Sequence, residues 1–296
     1  MSLRAWLTFA GVAVVWGIPY FFIKLAVADV SPTFVAWSRV GLAALVLVPL
    51  AWRLGAFRGV RGQAPAVVAY AATEIAIPFV LIPFGEQRIS SSLTAILIAS
   101  VPLMVALSTI WLASVERPDG PRLLGLVMGL VGVVALVGID VAGHLEELVG
   151  AISVLVATAC YAAATIIVKR YLADLHPLGP VAGALAVSTL ALTPLAALSA
   201  PASMPSTTAL VSLVVLGLAC TAAGLVLFFV LIAEVGPSRA TVVTYVNPAV
   251  AVVLGVVVLG ERLGPVSVLG LGLILAGSWL STGGWAGLRR PGRELS

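Results

Sequence analysis

Residues 86–138 read EQRISSSLTAILIASVPLMVALSTIWLASVERPDGPRLLGLVMGLVGVVALVG, two apolar stretches separated by a polar turn at Glu116-Arg117. Residues 236–280 read GPSRATVVTYVNPAVAVVLGVVVLGERLGPVSVLGLGLILAGSWL and repeat that layout around Glu261-Arg262. Each apolar stretch is about 20 residues long, the length that a helix needs to cross the 30 Å hydrocarbon core of a bilayer. The two stretches therefore predict paired membrane helices that occur twice in the chain.

The scarce residue types of the two stretches keep a single register. Pro102 returns as Pro248, at an offset of about 145 residues that also relates the two Glu-Arg pairs. The same offset brings Trp16 onto Tyr161 and Lys24 onto Lys169. Chance matches are common among Leu, Val and Ala, but not among Pro, Lys and Glu-Arg. We infer an internal duplication, with halves at residues 1–143 and 144–296.

The composition around these stretches is that of a membrane protein. Hydrophobic residues make up 61% of the 296 positions, charged residues make up 9%, and the mean hydropathy is +1.18. These values exclude an ordinary soluble globular domain. The basic residues give a net charge of +4, but they occupy short breaks between apolar stretches. We therefore expect the lipid bilayer, and no nucleic acid, as the partner surface.

Ten windows of the required length lie between polar or Gly/Pro breaks. They cover residues 6–28, 33–52, 65–84, 92–113, 121–139, 148–168, 179–198, 208–233, 240–259 and 265–280. The first window is too long for a signal peptide and lacks a clear cleavage site, so it is predicted to remain as a span. The predicted fold class is an all-α polytopic membrane protein.

Basic residues predict the orientation, because Lys and Arg accumulate on the cytoplasmic side. With the N-terminus inside, the outer segments hold only Lys24, Arg88 and Arg262, while Arg39 lies within the second span. The remaining basic side chains fall inside: Arg4, Arg53, Arg58, Arg61, Arg117, Arg122, Lys169, Arg170, Arg239, Arg289, Arg290 and Arg293. We expect a bacterial inner-membrane protein with both termini in the cytoplasm. Since each half has five spans, the second half must be inverted relative to the first.

The repeated stretches resemble the EamA domain of the drug/metabolite transporter superfamily, whose hallmark is a helix ending in a Glu-Arg-like pair, then a turn and a Gly-rich helix. This resemblance implies ten helices around a central cavity between inverted halves. It also implies secondary transport of a small organic molecule by alternating access. The chain looks most similar to bacterial amino-acid exporters, so we expect export of amino acids with aromatic or other amphipathic side chains. The alternative is proton-coupled efflux of cationic drugs.

Glu74 is the sharpest candidate for the substrate site. An ionisable side chain near the middle of a span is costly and usually faces a cavity. There it could bind a substrate ammonium group or carry a coupling proton. The structural alternative is an ion pair with Arg39 of the second span.

Helix breaks and aromatic or polar side chains inside the spans complete the predicted cavity. The expected lining residues are Trp16, Tyr20, Tyr70, Glu74, Pro78, Ser100, Tyr161, Thr165, Phe228, Tyr245 and Asn247. Pro19, Pro102 and Pro248 are expected to act as hinges, because a proline removes a backbone donor from its helix. Lys24 and Lys169 lie near helix ends, where such side chains snorkel toward the membrane surface.

Other classes of protein fit less well. An intramembrane enzyme would need a nucleophile and base or metal ligands at depth, yet His144 and His176 fall in loops. A channel would show a selectivity filter or charged rings. Cys160 and Cys220 are isolated and are expected to pack as small apolar side chains, so we expect no metal, no cofactor and no catalysis.

Small-residue faces are expected where the fifth and tenth spans pack. The residues concerned are Gly125, Gly129, Gly132, Gly270, Gly272 and Gly277. We favour packing within one subunit over a dimer interface, and hence a functional monomer with a dimer as the alternative.

Overall fold

The computed structural model describes residues 2–111, 120–140 and 144–282. The membrane helices are α1 (Leu3–Ala26), α2 (Pro32–Arg53), α3 (Val60–Glu86), α4 (Ser91–Ser108), α5 (Gly120–Gly138), α6 (Leu145–Leu172), α7 (Leu178–Leu198), α8 (Thr207–Val235), α9 (Thr241–Val257) and α10 (Pro265–Ser281). The first eight are long and apolar enough to cross a membrane, and α9 and α10 are shorter. The predicted all-helical fold is confirmed. The Glu116-Arg117 pair and the basic tail from Arg289 lie outside the described residues.

Several helices begin at a serine that caps the first turn. The side chain of Ser31 accepts a hydrogen bond from the Phe34 amide at the start of α2, and Ser90 does the same for Leu93 in α4. Ser206 caps α8 in the same way. The first amides of a helix have no partner within the helix, so these serines fix where the helices start.

The packing pairs follow the internal duplication. Helix α1 packs against α8, and its counterpart α6 packs against α3. The other main pairs join each helix to its own counterpart, namely α2 to α7, α4 to α9 and α5 to α10. If each helix is replaced by its counterpart in the other half, the pair α1–α8 becomes α6–α3, and the other three pairs stay the same. An inverted repeat with a pseudo-twofold axis in the membrane plane has this property.

Glycines bring α5 and α10 into backbone contact. A Cβ atom on Gly277 would lie 2.5 Å from the Gly125 carbonyl oxygen, and one on Gly132 would lie 3.0 Å from the Gly270 oxygen. The predicted packing face is therefore present within one chain. Gly272 is the exception, because a Cβ atom there would meet nothing within 4 Å.

Helix breaks occur at the predicted prolines. Helix α1 is interrupted at Ile18, directly before Pro19. The α-helical part of α4 stops at Ile98 and resumes at Val101. In α9 a 3-10 segment precedes the α-helical part, which begins at Asn247 and has Pro248 in its first turn. In addition, α3 and α8 carry π-helical segments at Ala71–Ala76 and Val215–Ala223, which are equivalent positions of the two halves. Such irregular segments are frequent at functional sites.

Candidate substrate cavity

A cavity of about 470 Å³ lies between the two halves, within the range of small-molecule sites. Its wall includes Thr165, Thr244 and Thr282, which are exposed at the end of the bundle where α1 begins. We call this the N-terminal end, and the end where α1 stops the far end. Toward the far end the wall includes the buried side chains of Ile23 and Ile82. The cavity is therefore more accessible from the N-terminal end.

Most of the predicted lining residues meet at this cavity. They are Trp16, Tyr20, Tyr70, Glu74, Tyr161, Thr165 and Asn247, together with the three hinge prolines Pro19, Pro102 and Pro248. They come from α1, α3, α4, α6 and α9, so residues far apart in the chain share one wall. The helix breaks lie at the cavity because the prolines that cause them form part of its surface.

Four predicted residues lie elsewhere. The ring of Phe228 packs against Trp16, with centroids 4.7 Å apart, so it supports a lining residue instead of lining the cavity. Ser100 is buried and donates to the Leu97 carbonyl at 2.6 Å. The Tyr245 hydroxyl lies 3.3 Å from the Thr282 hydroxyl. Pro78 is buried within α3, outside the lining.

Pro78 nevertheless shapes the surroundings of Glu74. Having no amide hydrogen, it cannot donate to the Glu74 carbonyl four residues earlier. The amide of Ile77 donates to Ala72, five residues back, as the π-helical geometry of this segment requires. The π-helical segment turns Glu74 into the cavity, where its side chain is partly exposed.

Arg39 lines the same cavity but is not ion-paired with Glu74, contrary to the structural alternative from the sequence. Its Nε donates to the Thr221 hydroxyl at 2.8 Å, and its guanidinium lies 4.0 Å from the centre of the Phe79 ring. Thr221 in turn donates to the Leu216 carbonyl, five residues back in the π-helical segment of α8. The Glu74 carboxylate and the Arg39 guanidinium therefore both line the cavity without binding each other. Sequence reasoning missed Thr221 and Phe79, although an arginine inside a span signals a need for partners.

The far end is closed by a contact between the two halves. Glu261, in the loop before α10, accepts hydrogen bonds from the amides of Ser91 and Ser92 at 2.7 and 2.9 Å and from their hydroxyls at 2.9 and 2.6 Å. With Ser90 bound to Leu93, these bonds satisfy the first amides of α4. Burial raises the pKa of Glu261, but the hydrogen bonds outweigh it and hold the pKa below its usual value. We call these four bonds the far-end closure.

Two further residues fit this closure. A Cβ atom on Gly255 would lie within about 2.5 Å of both the Ser92 hydroxyl and the Glu261 carboxylate, so only glycine leaves room for the contact. Lys24 does not merely snorkel, because its Nζ donates to the carbonyl of Glu86, the last residue of α3, and to that of Ile89 in the following loop, whereas its counterpart Lys169 is exposed.

Comparisons with known proteins agree with this architecture. The EamA-like transporter family matches residues 3–138 and 148–283. An uncharacterized transporter of Archaeoglobus fulgidus is 25% identical over 94% of this chain and 98% of its own length. The uncharacterized inner membrane transporter YedA of Escherichia coli is 27% identical over 88% of this chain and 85% of its own.

Two further similarities span nearly the whole chain. A probable terminal-alkyne amino-acid exporter of Streptantibioticus cattleyicolor is 28% identical over 95% of both chains. A solved crystal structure superposes with a TM-score of 0.67 at 17% identity, covering 98% of this chain and 100% of the other, which shows a shared fold. This chain belongs to the EamA-like transporter family and is a multi-pass membrane transporter of small molecules.

Proposed function

We propose that this transporter exports amino acids with aromatic or other amphipathic side chains by alternating access. The proposal rests on one observation: Glu74 and Arg39 line the same cavity but do not pair with each other. A zwitterionic amino acid has an ammonium group for the carboxylate and a carboxylate for the guanidinium. Hydrogen bonds to charged groups of this kind contribute about 1.5–3 kcal/mol each.

The rest of the wall suits an apolar side chain. Trp16, Tyr20, Tyr161 and Phe79 contribute rings to the lining, next to aliphatic residues such as Ile75. Aromatic rings bind apolar side chains over a large area, while their polar edges remain available for hydrogen bonds. An aromatic amino acid would use both kinds of contact.

The relatives and the charge pattern support the direction and the location. The Streptantibioticus protein is named a probable amino-acid exporter, and YedA is named an inner membrane transporter. Placing both termini in the cytoplasm of a bacterial inner membrane puts the exposed N-terminal end of the cavity inside, where an exporter collects its substrate. Residues 1–143 and 144–296 then act as two halves that move relative to each other, with no partner subunit and no cofactor.

Efflux of cationic compounds is the competing function, and Glu74 with the aromatic wall would permit it. Arg39 opposes it, because a guanidinium in the same cavity repels a cation that has no carboxylate. The two functions therefore differ in what Arg39 contributes.

Transport into proteoliposomes of three matched probes separates them. L-phenylalanine carries both charges, 2-phenylethylamine only the positive one and 3-phenylpropionate only the negative one. We expect L-phenylalanine to be moved fastest, and Arg39→Gln to slow it by roughly tenfold or more without slowing the amine. Glu74→Gln should slow L-phenylalanine and the amine alike.

Glu147→Gln and Arg170→Gln are matched controls, since both side chains lie outside the lining of the cavity. They should leave all three rates unchanged. Faster transport of 2-phenylethylamine than of L-phenylalanine by the unmodified protein would favour the cationic-efflux function instead.

A further inference from the structure

Glu86 is a buried carboxylate that the transport site does not use. It is the last residue of α3, its side chain is 0% exposed, and it lies outside the cavity lining. Among the residues that the structure describes, neither carboxylate oxygen has a hydrogen-bond partner. Burying an ionised carboxylate without partners costs much more free energy than burying its neutral, protonated form.

The surroundings of Glu86 link it to the far-end closure. Its carboxylate interacts electrostatically with four ionisable side chains: Lys24 and Tyr20 from α1, Arg39 from α2, and Glu261. The nearby cation does not bind it directly, because Lys24 donates to the backbone carbonyl of Glu86 and not to its carboxylate. Glu261 is held in its ionised form by Ser91 and Ser92, so its charge repels a second negative charge at Glu86.

Burial without hydrogen-bond partners and the charge of Glu261 disfavour an ionised Glu86 while the far end is closed, and together they outweigh the attraction of Lys24 and Arg39. We propose that Glu86 is a proton-binding site that must be occupied while Glu261 holds Ser91 and Ser92, and that gives its proton to water when those bonds open. The proposal rests on the proposed function and extends it, because it states how the pH on the far side controls the opening step of alternating access. No covalent step is involved, since the proton moves only between the carboxylate and water.

The direction of the pH effect follows from linkage. The closed state holds one proton more at Glu86 than the open state, so raising the pH favours opening. Glu261 acts in the opposite sense, because its lowered pKa makes the closure fully available above about pH 4.5 and weaker below it. Between about pH 5.5 and 8, above the range in which Glu261 acts, the proposal therefore assigns the pH dependence of the closure to the Glu86 proton.

Cysteine labelling of the full chain in vesicles measures opening directly. Cys160 and Cys220 are the two cysteines of the sequence and are first replaced by alanine. Thr94→Cys then places a thiol at a position that is 0% exposed beneath the closure, and Gln87→Cys places one at an exposed position near the same end. A water-soluble maleimide reacts with the thiolate, so the ratio of the two labelling rates cancels the increase with pH that thiol ionisation gives to both.

We expect this ratio to rise roughly tenfold between about pH 5.5 and 8. With Glu86→Gln, which mimics the protonated side chain, the ratio should stay low at every pH. Glu86→Asp keeps an ionisable group and should keep the pH dependence. This readout requires no transport, so failure of the amino-acid assignment would leave it intact.

His144, an exposed ionisable residue directly before α6, is the matched control, because it is not among the side chains that act on Glu86. His144→Gln should leave the pH dependence unchanged. A rise with pH that survives in Glu86→Gln, or one that disappears in His144→Gln, would overturn the proposal. So would a ratio that does not change with pH in the unmodified protein.

Discussion

The α5–α10 interface offers a prediction whose size follows from the geometry. In Gly277→Ala, the new Cβ atom would lie 2.5 Å from both the Gly125 carbonyl oxygen and the Gly129 amide nitrogen. Ordinary contacts of a Cβ atom begin at 3.4 Å, so the two helices would have to separate by roughly 1 Å. Both atoms that it meets belong to the backbone and cannot rotate away. We expect a loss near the upper end of the usual overpacking cost of about 1–3 kcal/mol.

The assay is thermal unfolding of the purified protein in detergent. At about 2–4 °C per kcal/mol, Gly277→Ala should lower the Tm by roughly 5–10 °C. Gly272→Ala is the control within the same helix, because its Cβ atom meets nothing within 4 Å, and alanine favours a helix by up to about 1 kcal/mol over glycine. Equal Tm values for the two variants would refute backbone contact between α5 and α10.

Three further predictions use other contacts. Lys24→Gln removes the charged donor to the carbonyls of Glu86 and Ile89 and should lower the free energy of unfolding by about 1.5–3 kcal/mol, whereas Lys169→Gln should change it by no more than about 0.5 kcal/mol. Equal losses would show that the two lysines are equivalent. Thr221→Val removes the acceptor that orients Arg39 and should weaken L-phenylalanine binding in calorimetry by about tenfold, which Thr221→Ser should restore. Glu261→Gln mimics the protonated carboxyl, so it should leave the far end open to thiol labelling at every pH, whereas the unmodified protein should show this opening only below about pH 4.5; a far end that stays closed in this variant would show that Glu261 does not hold it.

The helices and the duplication could be predicted because both depend on signals along the chain. A span requires about 20 consecutive apolar residues, and the repeat was marked by scarce residues such as Pro102 and Pro248 that keep one offset. The cavity was also largely predictable. An ionisable side chain inside a span, such as Glu74, is too costly in lipid to face outward.

What sequence reasoning missed depends on rotation about helix axes and on contacts between distant segments. The depth of Arg39 in its span was predictable, but not the direction of its side chain, and its partner Thr221 is 182 residues away. Glu261 was interpreted only as part of the Glu-Arg pair that marks the repeat and the family resemblance, although it caps a helix of the other half. Glu86 follows an apolar window as an apparent loop residue, and only the packing shows that it is buried.

The central claim, that the substrate binds in the cavity between the halves, is tested most directly by protection of one thiol. Thr165→Cys, in a chain without Cys160 and Cys220, places a thiol on the exposed part of the cavity wall. Saturating L-phenylalanine should slow its reaction with a maleimide by roughly tenfold, while a cysteine at exposed Gln87 reacts at an unchanged rate. Undiminished labelling of Thr165→Cys under conditions in which the same protein transports L-phenylalanine would contradict the claim.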